Sequence, residues 1–408
     1  MPGNQGATVM SWRSQLPVLV VEAQAMGSIA TIRSLGRGGY PVHACATRMD
    51  ALGLLSNYAH TKIICPDYDQ DNFLPWLRQY IQQNNIRAII PSEGLLLTLR
   101  PVFAEFVHLL PFSNQANILY GGMSKFDLFK SLLENDGHPE VSEHLPPSLL
   151  VPNLTNISTI AELETFGTPL YIKADGCYSS NGATSAVYKS YSAVEAHDRL
   201  QHLASRFRKV LIQGHVSGQG VGAFFLLWNG QLLAEFMHRR LHEVPHTGGV
   251  SSFRESWWHP GIRNDALAKL KHLGWQGVAM MEYRWDKATD QFYLIEMNGR
   301  FWGSLHLALY SGVDFPILLL DAFHDHLPNP VENFLRGVRC RNTFPKEVEY
   351  VWSRLKDPQL SLLSRLWSMI EFFQLSMDPN VRVDLLFPRD KRLYWESLKR
   401  FFPIFWKC

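Results

Sequence analysis

Short apolar runs alternate with amphipathic stretches along the first part of the chain. Pro17-Val-Leu-Val-Val-Glu22 reads as a buried strand. Gly27 to Gly36 reads as a helix, with Ile29, Ile32 and Leu35 at helical spacing. Pro41 to Ala46, Lys62 to Pro66 and Ala88 to Pro91 read as further strands. Between the last two, Phe73, Leu74, Leu77 and Ile81 mark one face of a helix over 73–83. Strands that alternate with helices predict a parallel, doubly wound α/β sheet. The first strand-to-helix turn carries one glycine and no GxGxxG, which excludes a dinucleotide fingerprint. Glu93 follows the fourth strand, where open α/β sheets bind ligands. It fits a substrate contact or a carboxylate matching the helix dipole.

The pattern changes after Gly121-Gly-Met-Ser124-Lys125. Ser124 is a plausible N-cap, and the spacing predicts a helix to about Asn135. Thr168 to Ala174 is a strand carrying Lys173, followed by a Gly/Ser loop from Asp175 to Ala183. That loop has no Walker A spacing. Its backbone N–H groups suit phosphate oxygens, although an ordinary hairpin loop has the same composition. Lys209 to Val216 is a strand entering a turn. Asn229-Gly230 is a hairpin signal joining Gly218–Trp228 to Gln231–His238. The stretch from Glu243 to Ser252 is Gly-rich and reads as a long loop. Asn264 to Leu273 reads as a helix, and Phe301 onward starts another that carries Ser304 and His306.

Two neighbouring strands carry the candidate chemistry. Val278 to Trp285 contains Glu282, and Gln291 to Arg300 contains Glu296, Asn298 and Arg300. Side chains two apart on a strand share a face. Glu296, Asn298 and Arg300 therefore line one side, with Ile295 and Met297 expected on the other. A hairpin centred near Thr289 sets Glu282 opposite Glu296, and facing Cβ atoms lie about 4.5–5.5 Å apart. Two carboxylates that close repel unless a cation lies between them. Mg²⁺ suits such oxygens together with substrate phosphates, and the Arg300 fork matches a phosphate oxygen pair. Spacing alone equally fits solvated strand charges with Arg300 as their partner.

Glu282 followed by Glu296-Met-Asn298-Gly-Arg300 resembles the metal-binding end of the ATP-grasp superfamily. The likeness is to its carbamoyl-phosphate-synthase-like and carboxylate–amine ligase branch, and it extends over most of residues 17–320. The resemblance implies a Rossmann-like pre-ATP-grasp domain over 1–120 and a two-lobed α+β ATP-grasp domain over 121–325. Within the latter, a middle lobe spans about 140–212 and a metal-bearing lobe about 213–325. It implies ATP with Mg²⁺ or Mn²⁺ on Glu282, Glu296 and Asn298. Lys125, Lys173 and Arg300 would meet phosphate, and Ser179, Ser180 and Gly182 would belong to the loop that closes over it. Gln213, Gly214, His215 and Val216 would form the hinge at the adenine edge, although many relatives have an acidic residue where Gln213 stands. Arg239 or Arg240 would hold a substrate carboxylate or acyl phosphate. Ser304 and His306 would sit near the site, and for His306 a packing role stands beside a catalytic one. The implied reaction is ADP-forming ligation of a carboxylate to an amine. Bicarbonate activation and a non-catalytic nucleotide-binding scaffold at a membrane are the other readings.

Composition narrows this further. At 46% hydrophobic and 19% charged with a net charge of +2, the chain is globular and offers no nucleic-acid surface. Five cysteines without CxxC spacing fit a reducing, cytoplasmic setting rather than a disulfide framework or zinc site. The N-terminal residues lack a signal-peptide core, and no stretch is long enough for a membrane span. Residues 326–408 form a Trp/Phe-rich extension expected to be mostly helical. Leu393 to Phe405, with Trp395, Leu398, Phe401, Phe402 and Phe405, suits packing on the body, a homodimer interface or peripheral membrane contact.

Overall fold

A computed structural model describes residues 12–135, 137–154, 159–180 and 185–405, with no side-chain description beyond 401. The first sheet is the expected one. Strands β1 (Val18–Val20), β2 (Val42–Ala46), β3 (Thr61–Ile64) and β4 (Ala88–Ile90) are all parallel, in the order β3-β2-β1-β4. Helix α1 (Met26–Arg37) follows β1, α2 (Phe73–Asn84) lies between β3 and β4, and α3 (Glu93–Leu99) follows β4. The crossovers leave β1, β2 and β4 buried, so β1 and β4 read as continuous apolar runs, while β3 at the sheet edge stays partly exposed. Ser92 caps α3 by accepting from Leu95 N, and Ser124 caps α4 (Lys125–Glu134) by accepting from Asp127 N.

The middle lobe is a four-stranded sheet. It comprises β5 (Ser148–Val151), β6 (Leu170–Ala174), β7 (Ala186–Ser190) and β8 (Val210–Gln213), in the order β5-β8-β6-β7, with helix α5 (Ala193–Leu203) before β8. This lobe has its own apolar core, built around Leu163, Ile172, Leu200 and Ile212. The first domain and the third sheet instead share one continuous core, from Val18 to Phe224 and Trp302. The middle lobe is thus the separately packed element.

The third sheet has seven strands. Strands β9 (Gln219–Trp228) and β10 (Gln231–Val244) form the hairpin that Asn229-Gly230 predicts, with φ values of 48° and 76° in the turn. Next come β11 (Val250–Ser256), helix α6 (Pro260–His272), β12 (Gly277–Trp285), β13 (Phe292–Asn298), and helices α7 (Leu305–Tyr310) and α8 (Phe315–Phe323). The stretch from Glu243 to Ser252, expected as a long loop, is instead a hairpin. Strand β10 runs on to Val244, and β11 begins at Val250. A left-handed Gly248 (φ 125°) lets the chain reverse within five residues.

The C-terminal extension is mostly helical, as expected: α9 (Val348–Lys356), α10 (Leu362–Met377) and α11 (Arg392–Phe405). It also supplies β14 (Arg339–Arg341) and β15 (Val381–Val383), which complete the order β13-β12-β9-β10-β11-β14-β15. Three-residue strands are too short to leave a periodic signal. Buried charges fix the extension to the body. Arg33 on α1 pairs with Asp390 at 2.7 Å and donates to the carbonyls of Asp384 and Leu385, while Arg254 on β11 pairs with Asp384. Among the described residues, no helix is long and apolar enough to cross a membrane.

Candidate active site

Glu282 and Glu296 are direct partners in the β12–β13 ladder. The register slips by one residue just beyond them, leaving Ile295 as a bulge. Ile295 was expected to face away from the stripe. The bulge brings it to the cleft wall, where its carbonyl accepts from Lys173 Nζ at 2.6 Å. Gly299 packs under the Trp275 indole, which leaves no room there for a side chain.

Cations surround the two carboxylates. Lys125 Nζ, at the first turn of α4, lies 3.2 Å from Glu296 Oε2. Arg240 binds Glu282, and also meets Glu243 at 3.2 Å and the Gly249 carbonyl at 2.9 Å. Gly220 on β9 gives Arg240 its room, since a Cβ there would strike the Arg240 side chain. Asn298 Nδ2 donates to Glu296 Oε1 at 3.0 Å, which leaves its carbonyl oxygen for another partner.

The electrostatics follow from burial and from these pairs. Burial pushes Glu282 up, helped by the charge of Glu296 and opposed by Arg240. Burial also works on Glu296, but Lys125 and Lys173 outweigh it and hold that carboxylate down. Burial drives Lys173 down to about 8 against the pull of Glu296. For Lys125 burial opposes the charge, and Glu296 with Glu93 prevails and raises it. Among the described residues there is no group of three or more His, Cys, Asp and Glu side chains able to hold a metal. Two facing carboxylates and one amide oxygen are a hard-oxygen set of the kind that suits Mg²⁺ completed by phosphate oxygens.

Glu296 stands in the wall of two cavities. One of about 760 Å³ is lined by Lys173, Gln213, Gly214, His215, Val216, Arg240, Glu282 and Glu296. It combines the turn after β8 with the paired carboxylates. The other, about 570 Å³, opens at the carboxyl ends of β1 and β4. Its wall includes Glu22, Tyr68, Ser92, Glu93, Lys125, Asn298 and Arg300. Arg300 reaches Glu93 at 3.7 Å across this second cavity. Tyr68 is pushed up by burial and by the charge of Glu22.

Several expected residues sit elsewhere. Arg239 points away from Arg240 and pairs with Glu255 at 2.6 Å across the β10–β11 ladder. Neighbouring residues on a strand face opposite ways. Ser179 bridges to Phe207, and Ser180 N donates to the Arg206 carbonyl at 2.8 Å; neither is in the walls of these two cavities. Gly182 lies outside the described residues, as do the side chains of Phe402 and Phe405 and the first six residues. The Gln213 amide braces β5 by donating to Ser148 Oγ at 3.1 Å. His306 is fully buried, 2.9 Å from Arg33, with its charge suppressed by burial and by Arg33 and Arg254. It is a packing residue.

Asp175 is the residue that sequence reasoning missed. It is buried, and one oxygen accepts from Ser124 Oγ at 2.6 Å and Phe126 N at 3.0 Å. The other accepts from Cys177 N at 2.9 Å. It therefore ties the end of β6, two residues after Lys173, to the start of α4 beside Lys125. Its place two residues after a strand lysine, just before Gly176, was the only local signal.

No protein-family model matches the sequence, and no curated protein matches it either. Solved structures do match. The L-amino acid ligase of Bacillus licheniformis is 14% identical, with a TM-score of 0.56 over 78% of this chain and 75% of that one. N5-carboxyaminoimidazole synthetase of Staphylococcus aureus, solved with ADP, is 16% identical, with a TM-score of 0.56 over 77% and 79%. The biotin carboxylase domain of Hydrogenobacter thermophilus 2-oxoglutarate carboxylase, solved with magnesium ADP and bicarbonate, is 14% identical, with a TM-score of 0.60 over 79% and 73%. At these identities the likeness is one of architecture: the chain has the ATP-grasp fold.

Proposed function

We propose that the protein is an ATP-dependent, ADP-forming ligase that activates a substrate carboxylate as an acyl phosphate and joins it to an amine. The observation that carries this reading is the position of Glu296, opposite Glu282 and in the wall of both cavities. A phosphate donor in the 760 Å³ cavity and a carboxylate acceptor in the 570 Å³ cavity meet at that wall. The fold's other solved members, an amino acid ligase and a synthetase among them, use the same architecture.

The chain's own residues divide the work. Gly214 to Val216 and Lys173 line the first cavity; the former would take the adenine edge and the latter the phosphates. Glu282, Glu296 and the Asn298 carbonyl oxygen would hold Mg²⁺, which supplies charge neutralisation for the transferring phosphoryl group. Lys125 lies in the second cavity and against Glu296, so it serves oxygens on both sides of the wall. Arg300 offers a planar fork to the acceptor carboxylate. Arg240 holds Glu282 in place and presents its guanidinium to the first cavity. Phosphoryl transfer needs this positioning and charge more than covalent help. A carboxylate oxygen becomes a leaving group once phosphorylated. An amine then attacks the acyl carbon, and inorganic phosphate departs.

The test is ADP and phosphate release with Mg²⁺ and ATP against a panel of amino acids, sugar acids, amines and bicarbonate. Release that needs both an acid and an amine supports the ligase. Release with bicarbonate alone moves the protein to the carboxylase reading, and AMP with pyrophosphate overturns the acyl-phosphate route.

A further inference from the structure

Helix α10 leaves its apolar side uncovered. Leu362, Leu363, Leu366, Trp367, Met369, Ile370, Phe373 and Met377 are between 41% and 80% exposed. At 100° per residue all eight fall within an arc of roughly 160°. The opposite side carries the buried Ser368 together with Phe372, whose carbonyl accepts from Arg341. The helix has 16 residues, so the bare stripe is roughly 24 Å long. A single exposed leucine needs no explanation, but a contiguous stripe of this size marks an interaction site.

We propose that this face is where two copies of the chain pair, α10 against α10, in a two-fold symmetric dimer. Large apolar side chains present roughly 150–250 Å² each, so eight of them, between two-fifths and four-fifths bare, offer on the order of 800 Å². A standard stable interface buries about 800 Å² on each partner, so the bare stripe is large enough to form the centre of one. Charge argues against a lipid surface as the occupant. Helices that lie on membranes carry a polar face rich in Lys and Arg. The charged residues of α10 are Arg365 and Glu371, and both lie off the stripe. Arg365 is held to the Leu360 carbonyl at 3.0 Å and Glu371 to His242 at 3.5 Å. An uncharged stripe is self-complementary under a two-fold axis. Antiparallel pairing sets Leu362 and Leu363 of one copy against Phe373 and Met377 of the other.

Sedimentation velocity of the full-length chain across nanomolar to micromolar concentration tests it. The expected result is a twofold rise in mass, with a dissociation constant in the micromolar range or below. The pair Leu363→Glu and Phe373→Glu should restore the monomer while the far-ultraviolet circular dichroism spectrum stays unchanged. Hydroxyl-radical footprinting of the wild-type chain gives a readout free of mutation. Oxidation of Trp367, Met369 and Met377 should fall as the dimer forms. A wild-type chain that stays monomeric overturns the proposal, and if it also floats with phosphatidylglycerol vesicles, a membrane is the occupant instead. A dimer whose footprint leaves those three residues unchanged overturns it equally, because the interface is then elsewhere.

Discussion

Glu282 and Glu296 face each other in the β12–β13 ladder, and each is bound by a different cation, Arg240 for the first and Lys125 for the second. The pair is therefore charge-balanced without a metal but still supplies carboxylate oxygens to a shared wall. Glu296→Gln removes a charge that Lys125 and Lys173 both depend on. ADP release should fall by at least about 100-fold, the scale seen when one preorganised electrostatic group is lost. The thermal stabilisation given by Mg²⁺ with ATP should vanish as well, because a ligand stabilises only what it binds. A Gln variant that retains wild-type turnover would remove Glu296 from the reaction.

Lys173 gives opposite signs for stability and for binding as pH rises. Burial holds its folded value at about 8, below the roughly 10.4 of an unfolded lysine. Between those values the unfolded chain binds more protons, so this group's contribution to stability rises with pH from about 8 to about 10. A phosphate-binding lysine must be charged, so ATP affinity should fall over the same window. Thermal melts and ATP titrations from pH 7 to 10 measure both trends, and Lys173→Met should flatten both. Parallel trends would show that another group governs one of them.

Asp175 accepts three hydrogen bonds that join Lys173's strand to Lys125's helix. Asp175→Ala leaves the Ser124 hydroxyl and the Phe126 amide without their buried acceptor, at a cost of about 1–3 kcal/mol each before relaxation. Urea denaturation should show a loss of roughly 2–4 kcal/mol, and KM for ATP should rise. Asp175→Asn should recover part of the stability, since its amide oxygen still accepts. An Ala variant with an unchanged urea midpoint would rule out this tie.

The buried pair of Arg33 and Asp390 tests whether the extension is integral to the body. Asp390 also accepts from Ser56 Oγ at 2.8 Å and from Asn57 N at 2.9 Å. Removing one partner of a buried pair costs about 3–5 kcal/mol. Asp390→Ala should lose that much in equilibrium unfolding and melt as a single transition. A separate early transition would mean that the extension unfolds on its own.

Much of this was legible from the sequence because it rests on local period. The parallel sheet follows from apolar runs between amphipathic helices, the β9–β10 turn from Asn229-Gly230, and the facing glutamates from counting across a turn centred near Thr289. What escaped depends on distant partners. Asp175 acts through Ser124, 51 residues away. The bulge at Ile295 arises from pairing between strands, and β14 and β15 are too short to show alternation. Alternation puts Arg239 and Arg240 on opposite faces, but which one meets the site is decided by the glycine-lined β9 beneath Arg240.

That difference yields the sharpest contrast between neighbouring residues. Arg240 is buried against Glu282, Glu243 and the Gly249 carbonyl. Arg239, with its side chain 31% exposed, pairs with Glu255 on the other face. Arg240→Ala leaves Glu282 buried beside Glu296 without its cation. Burial and like charge then both favour a protonated Glu282. Turnover should fall by about 100-fold or more, with part of the loss recovered at higher pH as Glu282 ionises. Arg239→Ala breaks a partly exposed ion pair and should cost at most about 1 kcal/mol of stability, with turnover within a few-fold of wild type. Measuring kcat and urea midpoints for both variants settles which arginine serves the cleft. If Arg239→Ala proves the more damaging to kcat, the face assigned to each residue on β10 is reversed.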